Sequence, residues 1–415
     1  MARILKKETL ASSAAFEKAA RSLYTADFDT VCERYSSLTE GMDGKVFLFS
    51  SPGRTEIVGN HTDHNHGKAI GGSVSLDIAC AVQPWDKNEI LIDSQGFGPF
   101  SVALDVGGPD EKKYGTSEAL VAGIVKGFVD RGYNVGGFYA RMESSVPKGA
   151  GVSSSAAFEL LICRILNELF NNGKISFTEC AIIGQYAENV YFGKPSGLLD
   201  QLTIARGGIS MMDFKKPFPD SYAAEWHFND LWLVIINCGG DHCNLTGEYA
   251  AIRKEMNEVA GFFGKETLID VNEKDFYDNV VALRDKFGGR AVLRSIHFFE
   301  ENKRVEAACS YLAASDEEGF LRVINQSGKS SYTLLQNCYP AGDTEQSVPF
   351  ALAMAERDPA VVGHRIHGGG FAGTILTFVR AEDKDAYVAR MEKLFGKENV
   401  FPTTIRGAGA TEIKY

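Results

Sequence analysis

Val146-Pro147-Lys148-Gly149-Ala150-Gly151-Val152-Ser153-Ser154-Ser155-Ala156-Ala157 joins a predicted strand over residues 137–144 to a predicted helix over 156–170. The strand follows from period two: Phe138, Ala140 and Met142 alternate with Tyr139, Arg141 and Glu143. The helix follows from Phe158, Leu161, Ile162, Ile165, Leu166 and Leu169, which recur every three or four residues and share one face. Between them, two glycines allow a tight turn and close approach of the backbone to a ligand. A helix N-terminus presents unpaired N–H groups and partial positive charge, which suits phosphate, and serine hydroxyls add hydrogen bonds or a magnesium ligand. An ordinary strand–turn–helix joint, with serine capping the helix, is the plainer alternative. The Walker pattern is excluded because no Gly-Lys-Ser/Thr closes the loop, and the dinucleotide fingerprint lacks its third glycine.

Composition narrows the function. At 415 residues the chain has room for two or three domains, each with its own core. Apolar residues make up 44% and charged residues 23%, a globular balance that argues against disorder. A net charge of −11 argues against a nucleic-acid partner, which needs a basic face, yet leaves a local phosphate site open. No apolar run approaches the ~18 residues of a spanning helix, so no membrane partner is expected. Met1-Ala2-Arg3-Ile4-Leu5-Lys6-Lys7 leads into mixed polar sequence and not into the apolar stretch of a signal peptide. Eight scattered cysteines, with no Cys-x-x-Cys pair, suit reduced thiols in a cytoplasmic protein. The oligomeric state is open, with a monomer expected.

Outward from the central stretch, residues 1–40 read as helical. Val46-Phe47-Leu48-Phe49 reads as a short strand ended by the turn chemistry of Ser51-Pro52-Gly53-Arg54. Residues 67–82 return to strand, 105–114 form a surface loop, and helices follow over 120–129 and 177–192. A domain boundary near residue 200 divides an N-terminal lobe, 1–200, from a C-terminal lobe, 201–415, whose last strand is free to return to the first. The second half holds a strand at 231–237 and helices at 248–263 and 302–315. The glycine-rich loop His367-Gly368-Gly369-Gly370-Phe371-Ala372-Gly373 then precedes a strand at 374–379. Strands and helices mix without strict alternation, so the expected class is α+β.

A second concentration of polar groups is Gly53-Arg54-Thr55-Glu56-Ile57-Val58-Gly59-Asn60-His61-Thr62-Asp63-His64-Asn65-His66-Gly67. Arg54 offers a fork of donors, while Asn60, His61 and Asp63 offer the mixed donors and acceptors that sugar hydroxyls require. His61, Asp63, His64 and His66 also invite a metal reading, but no two-His helix spacing is present. A solvated polar loop is the alternative.

Together these stretches resemble the motifs of the GHMP kinases, and of galactokinases in particular. The central loop is similar to Pro-x-Gly-x-Gly-Leu-Ser-Ser-Ser-Ala, with Val152 for leucine. Residues 53–64 resemble Gly-Arg-x-Asn-x-Ile-Gly-Glu-His-x-Asp-Tyr: Gly53, Arg54, Gly59, His61 and Asp63 match, while Glu56, Val58, Asn60 and His64 depart. Residues 368–373 are similar to the third motif, Gly-Gly-Gly-Phe-Gly-Gly, with Ala372 for one glycine.

The resemblance implies a two-lobed fold with the active site in the cleft between lobes. It implies a kinase that uses ATP and Mg2+ to phosphorylate the C1 hydroxyl of galactose. It further implies that Asp200 and Arg54 are catalytic, that Arg54, Asn60, His61, Asp63, Gly197, Asp200 and Tyr249 bind the sugar, and that Lys148, Gly149, Ala150, Gly151, Val152, Ser153, Ser154 and Ser155 bind the nucleotide. Ser154, Ser155 and Glu188 would meet the metal. Without the resemblance Asp200 reads as a turn aspartate, Glu188 as an exposed helix residue and Tyr249 as core. The family's Trp-x-x-Tyr-x-Lys-Gly helix is represented by Val121-Ala122-Gly123-Ile124-Val125-Lys126-Gly127, so no adenine-stacking residue is placed. Asn60 stands where galactokinases carry a glutamate that accepts from the 6-hydroxyl. Its lost charge predicts relaxed discrimination against galacturonate or arabinose, unless His64 or His66 has taken over that hydroxyl. A 1-kinase for such a related sugar, or a non-catalytic galactokinase-like sensor, is the alternative function.

Overall fold

The apolar run that begins at Phe47 does not stop at Pro52. In the computed structural model, which describes residues 5–147, 149–215, 220–239, 245–371 and 373–415, it continues as one strand, β1 (Phe47–Val58), buried over almost its whole length. Register shifts between Pro52 and Arg54 and between Glu56 and Val58 absorb the proline and glycine that suggested a break. The following strands are β2 (Lys68–Pro84), β3 (Glu89–Ser94), β4 (Phe100–Ala103), β5 (Phe138–Ser144), β6 (Ile209–Asp213) and β7 (Asp220–Ala224). The later ones are β8 (Leu231–Asn237), β9 (Val361–His367), β10 (Thr374–Arg380), β11 (Val400–Thr403) and β12 (Thr411–Ile413).

Two sheets result. The first runs β12-β1-β2-β5-β3-β4, and the second β11-β8-β10-β9. Among the described residues only β3 and β5 pair in parallel; the other strand pairs are antiparallel. The long β2 serves two neighbours: Ile78 to Pro84 pairs with β5, and Lys68 to Gly72 pairs with β6, which in turn pairs β7. The first sheet therefore takes strands from beyond the boundary expected near residue 200, and it takes the C-terminal β12 as well. On β5 the expected alternation is observed, with Phe138, Ala140 and Met142 inside. The helix Ser154–Asn171 buries Ala157, Leu161 and Ile165 against the same core.

The second half contributes more helix than period alone predicts. The helix expected from residue 302 begins far earlier, as Gly289–Ala313, and buries His297 and Glu301 among apolar neighbours. Polar residues on its inner face break the apolar periodicity, which is why its first half reads poorly. No helix among the described residues is long and apolar enough to cross a membrane.

One buried carboxylate ties the N-terminal helices, the first sheet and the C-terminus together. Asp77 on β2 accepts from Arg34 Nη1 at 2.7 Å, from Tyr24 Oη at 2.7 Å and from the Ser50 hydroxyl, and Arg406 Nη1 lies 3.6 Å away. Burial would raise its carboxyl, but Arg34, Arg406 and Ser50 hold it below the ordinary aspartate range. A lowered folded value means that the stabilisation is complete above the unfolded value of about 3.9 and is lost as pH falls through the folded one. Asp77→Ala should cost ~3–5 kcal/mol in chemical denaturation at neutral pH, because it strands buried cations. The gap to the unaltered protein should narrow in strong acid; a pH-independent gap would contradict this.

Candidate active site

Two of the three sequence motifs meet at one ion pair. Arg54, from β1, donates to Asp200 through Nε at 2.6 Å and Nη2 at 2.8 Å, and through Nη1 to the Gly151 carbonyl. The bidentate fork fixes the carboxylate in direction as well as position. Asp200 occupies the first turn of the helix Leu199–Arg206, where the helix dipole favours negative charge. Burial would raise its carboxyl, yet Arg54 and the Ser153 hydroxyl hold it below the ordinary range. The side chain remains 27% exposed, so it is open to a ligand.

The loop after β5 reaches this pair through left-handed backbone. Gly151 has φ +68°, and a Cβ there would come within 3.0 Å of His367 Nδ1 and Thr374 Oγ1. Ser153 has φ +57°, a conformation that costs a non-glycine residue on the order of 1 kcal/mol. Its hydroxyl does not cap the helix; it donates to Asp200 Oδ2. The plain capping joint is therefore not what this loop forms. Lys148 lies outside the described residues, as does Ala372.

Beside Asp200 lies a polar cleft of about 160 Å³ lined by Arg54, Glu56, His61, Asp63, Gly197 and Asp200, among others. It is well below the ~300–1,000 Å³ of drug-sized sites and suits a small polar ligand. His61 donates from Nε2 to the Gly369 carbonyl at 2.7 Å and stacks on Tyr249, with ring centroids 6.3 Å apart. Burial lowers its pKa, so the ring is neutral. Tyr249 stands behind His61, and its hydroxyl is taken by the Gly370 carbonyl at 2.8 Å. Gly59, at φ +109°, turns the chain where a Cβ would lie 2.4 Å from Ala69 Cα.

Asn60 is wholly buried, and its amide is committed to protein partners. Nδ2 donates to Glu56 Oε1 at 2.9 Å and the Gly368 carbonyl at 2.7 Å, while Oδ1 accepts from Asn337 at 2.8 Å and Ser331 at 3.2 Å. Glu56 also pairs with Arg365 Nη2 at 2.9 Å. From the second half of the chain, Glu301 accepts from the amides of Gly59 at 3.0 Å and Asn60 at 3.4 Å. Burial would raise Glu301, but His297, Arg304 and Arg365 bring it down to about 2. The signature loop is thus held by a fixed anion.

Glu188 is buried at 1% exposure, unlike an ordinary surface helix residue. The helix Phe177–Tyr186 continues as a π-turn, Ala187–Tyr191, that carries it inward. Its carboxylate accepts from Ser155 Oγ at 2.9 Å, Lys194 Nζ at 2.8 Å, Ser196 Oγ at 2.6 Å and Gln201 Nε2 at 2.9 Å. Next to Ser154 and Ser155 opens a second cavity of about 630 Å³, walled by Ile92, Phe97, Phe100, Leu120 and Met142 among others. The structure therefore gathers Arg54, His61, Asp63, Gly197 and Asp200 around one cleft and Ser154 and Ser155 around the next. Arg365, Glu301, His297 and Asn337 were not singled out in the sequence, because isolated polar residues in apolar helices and strands carry no motif.

Residues 119–208 match the GHMP kinases N terminal domain, and residues 36–84 match the galactokinase galactose-binding signature. The fold is shared with Lactococcus lactis galactokinase solved with galactose, at TM-score 0.75 and 23% identity over 92% of this chain and 98% of that one. It is also shared with Methanococcus jannaschii mevalonate kinase, at TM-score 0.61 and 16% identity over 87% and 99%. Fold and matched domain define a GHMP kinase, a phosphotransferase with an alcohol group as acceptor. Galactokinase of Actinobacillus pleuropneumoniae is 31% identical over 355 residues, 80% of this chain and 85% of its own. That of Glaesserella parasuis serovar 5 is 30% identical over 356 residues, 81% and 86%. The chain belongs to the galactokinase family.

The low titration of Asp200 depends on Arg54. In Arg54→Gln the buried carboxyl loses its main counter-charge and should titrate higher than in the unaltered protein. Carbon-13 NMR of aspartate-labelled protein reads this directly; an unmoved Asp200 titration would contradict the assignment.

Proposed function

We propose that this kinase transfers the γ-phosphoryl group of ATP to the C1 hydroxyl of galactose. The observation that carries the reading is the position of Asp200, open to the small polar cleft and tied through Ser153 and Arg54 to the glycine loop. Arg54, His61, Asp63 and Gly197 supply hydrogen-bonding groups to the sugar, with Tyr249 bracing His61. The amides from Gly149 to Ser155 and the start of the following helix receive the triphosphate, and the apolar cavity beside Ser154 and Ser155 takes the base. Nucleophilic attack by O1 forms the new O–P bond while the bond from Pγ to the β–γ bridging oxygen breaks and ADP leaves. The hydroxyl proton passes to Asp200.

A carboxylate held this low is a weak base, but phosphoryl transfer has a loose transition state in which the nucleophile keeps its proton until late. Orientation of O1 is then the larger contribution, and Arg54 spreads positive charge toward the transferring group. Among the described residues no three His, Cys, Asp or Glu side chains form a metal cage. Ser155 and Glu188 nevertheless offer hard oxygen donors, and the Lys194 ammonium already rests against Glu188 where a cation is favoured. These groups fit Mg2+, a hard cation that prefers oxygen donors, and Ser155 and Glu188, with Ser154 adjacent, would hold it. When bound, Mg2+ supplies charge neutralisation on the β and γ oxygens. Lys194, 57% exposed, has room to withdraw.

ADP release measured with ATP over a panel of galactose, arabinose and galacturonate tests the reading, with galactose expected to support turnover. In Asp200→Asn, turnover should fall by ~10²–10⁴, with galactose affinity altered far less. Near-normal turnover with saturating sugar would remove Asp200 from the reaction.

A further inference from the structure

Two departures from the galactokinase pattern amount to one exchange. The pattern places asparagine and then, four residues later, glutamate; this chain has Glu56 and then Asn60. The two side chains touch, Asn60 Nδ2 donating to Glu56 Oε1 at 2.9 Å. Asn60 has no capacity left for a ligand, since both amide hydrogens and both lone pairs of Oδ1 are used. A glutamate at 60 would instead set a carboxylate against the Gly368 carbonyl and the Glu56 carboxylate.

Glu56 has capacity to spare. Its Oε1 takes Asn60 and Arg365, and no hydrogen bond from the described residues reaches Oε2. The residue lines the small cleft with Arg54, His61, Asp63 and Asp200. Arg365, wholly buried on β9, is itself fixed by the carbonyls of Ile57 and Ile366, so the carboxylate is anchored on one oxygen and presented on the other. Both neighbouring guanidinium groups are already paired, Arg54 with Asp200 and Arg365 with Glu56.

Resting on the sugar-kinase reading above, we infer that Glu56 is the specificity-determining acceptor of this site: Oε2 accepts a hydrogen bond from a hydroxyl of a neutral sugar, and its fixed charge disfavours sugars that carry a carboxylate. Asn60 is a positioning residue that orients Glu56. The negative charge has moved by four residues and has not been lost, so the relaxed specificity expected from Asn60 alone does not follow. A second anion in a partly desolvated cleft meets a like charge at short range.

The test compares galactose and galacturonate, by ADP release and by calorimetric binding, in the unaltered protein, Glu56→Gln, Asn60→Glu and the exchange Glu56→Asn/Asn60→Glu. The unaltered protein should prefer galactose strongly. Glu56→Gln should raise the galactose KM about tenfold or more, the scale for a lost hydrogen bond to a charged group, with kcat moved much less, and should narrow the preference. Asn60→Glu should lose affinity for both sugars and melt lower, and adding Glu56→Asn should restore both. Equal use or equal binding of the two sugars by the unaltered protein overturns the inference without any variant. So does a folded Glu56→Gln with unchanged KM and preference. Should no sugar support ADP release, the kinase reading fails by itself, and the binding preference still decides the role of Glu56.

Discussion

The pair between Arg54 and Asp200 is the contact on which the arrangement of this molecule depends. Burying a guanidinium and a carboxylate together carries a desolvation penalty that their attraction only partly offsets, so such a pair persists where geometry is tightly supported. The support is visible here. A bulge in β1 aims Arg54, the start of a short helix presents Asp200, and the third guanidinium contact falls on the Gly151 carbonyl. The glycine loop must pass close to β9 and β10 to make that contact, which requires left-handed backbone at Gly151 and forces it on Ser153. One ion pair thus fixes the glycine loop in relation to the small polar cleft.

The second half of the chain holds this arrangement from behind. Glu301 captures the Gly59 and Asn60 amides, His297 donates to the Asn60 carbonyl at 2.9 Å, and Asn337 and Ser331 occupy Oδ1 of Asn60. Burial keeps His297 below its ordinary pKa, and its ring bridges the Ser330 hydroxyl and the Asn60 carbonyl. These residues act on the cleft through backbone and through each other. Changes among them should be felt as altered geometry of the signature loop, and not as loss of a direct contact.

Local pattern made part of this legible in the sequence. The alternation in β5 and the helix after the glycine loop follow from period, and the strands Leu231–Asn237 and Thr374–Arg380 from short apolar runs. Arg54, His61 and Asp63 could be named because polar residues at fixed offsets around glycines are rare, whereas Asp200 could be named only through the resemblance to galactokinases. What stayed hidden is what depends on tertiary contact. Pro52 and Gly53 signal a turn locally, yet pairing with β2 carries β1 through them. Glu188 reads as a surface residue because nothing local reveals that a π-turn buries it against Ser155, Ser196 and Gln201. Asn60 was legible as a departure, but its saturation by Gly368, Ser331 and Asn337 involves partners some three hundred residues away. The role of Glu56 likewise depends on contacts that only the fold creates, with Asn60 and with Arg365.

In the proposed reaction Asp200 directs an anomeric hydroxyl at the phosphoryl group held by the glycine loop. Proton–phosphorus correlation NMR on the product formed from galactose and ATP tests it most directly. A phosphorus resonance coupled to the anomeric proton is the predicted result. Phosphate attached at another carbon, or released only as inorganic phosphate, would contradict the account.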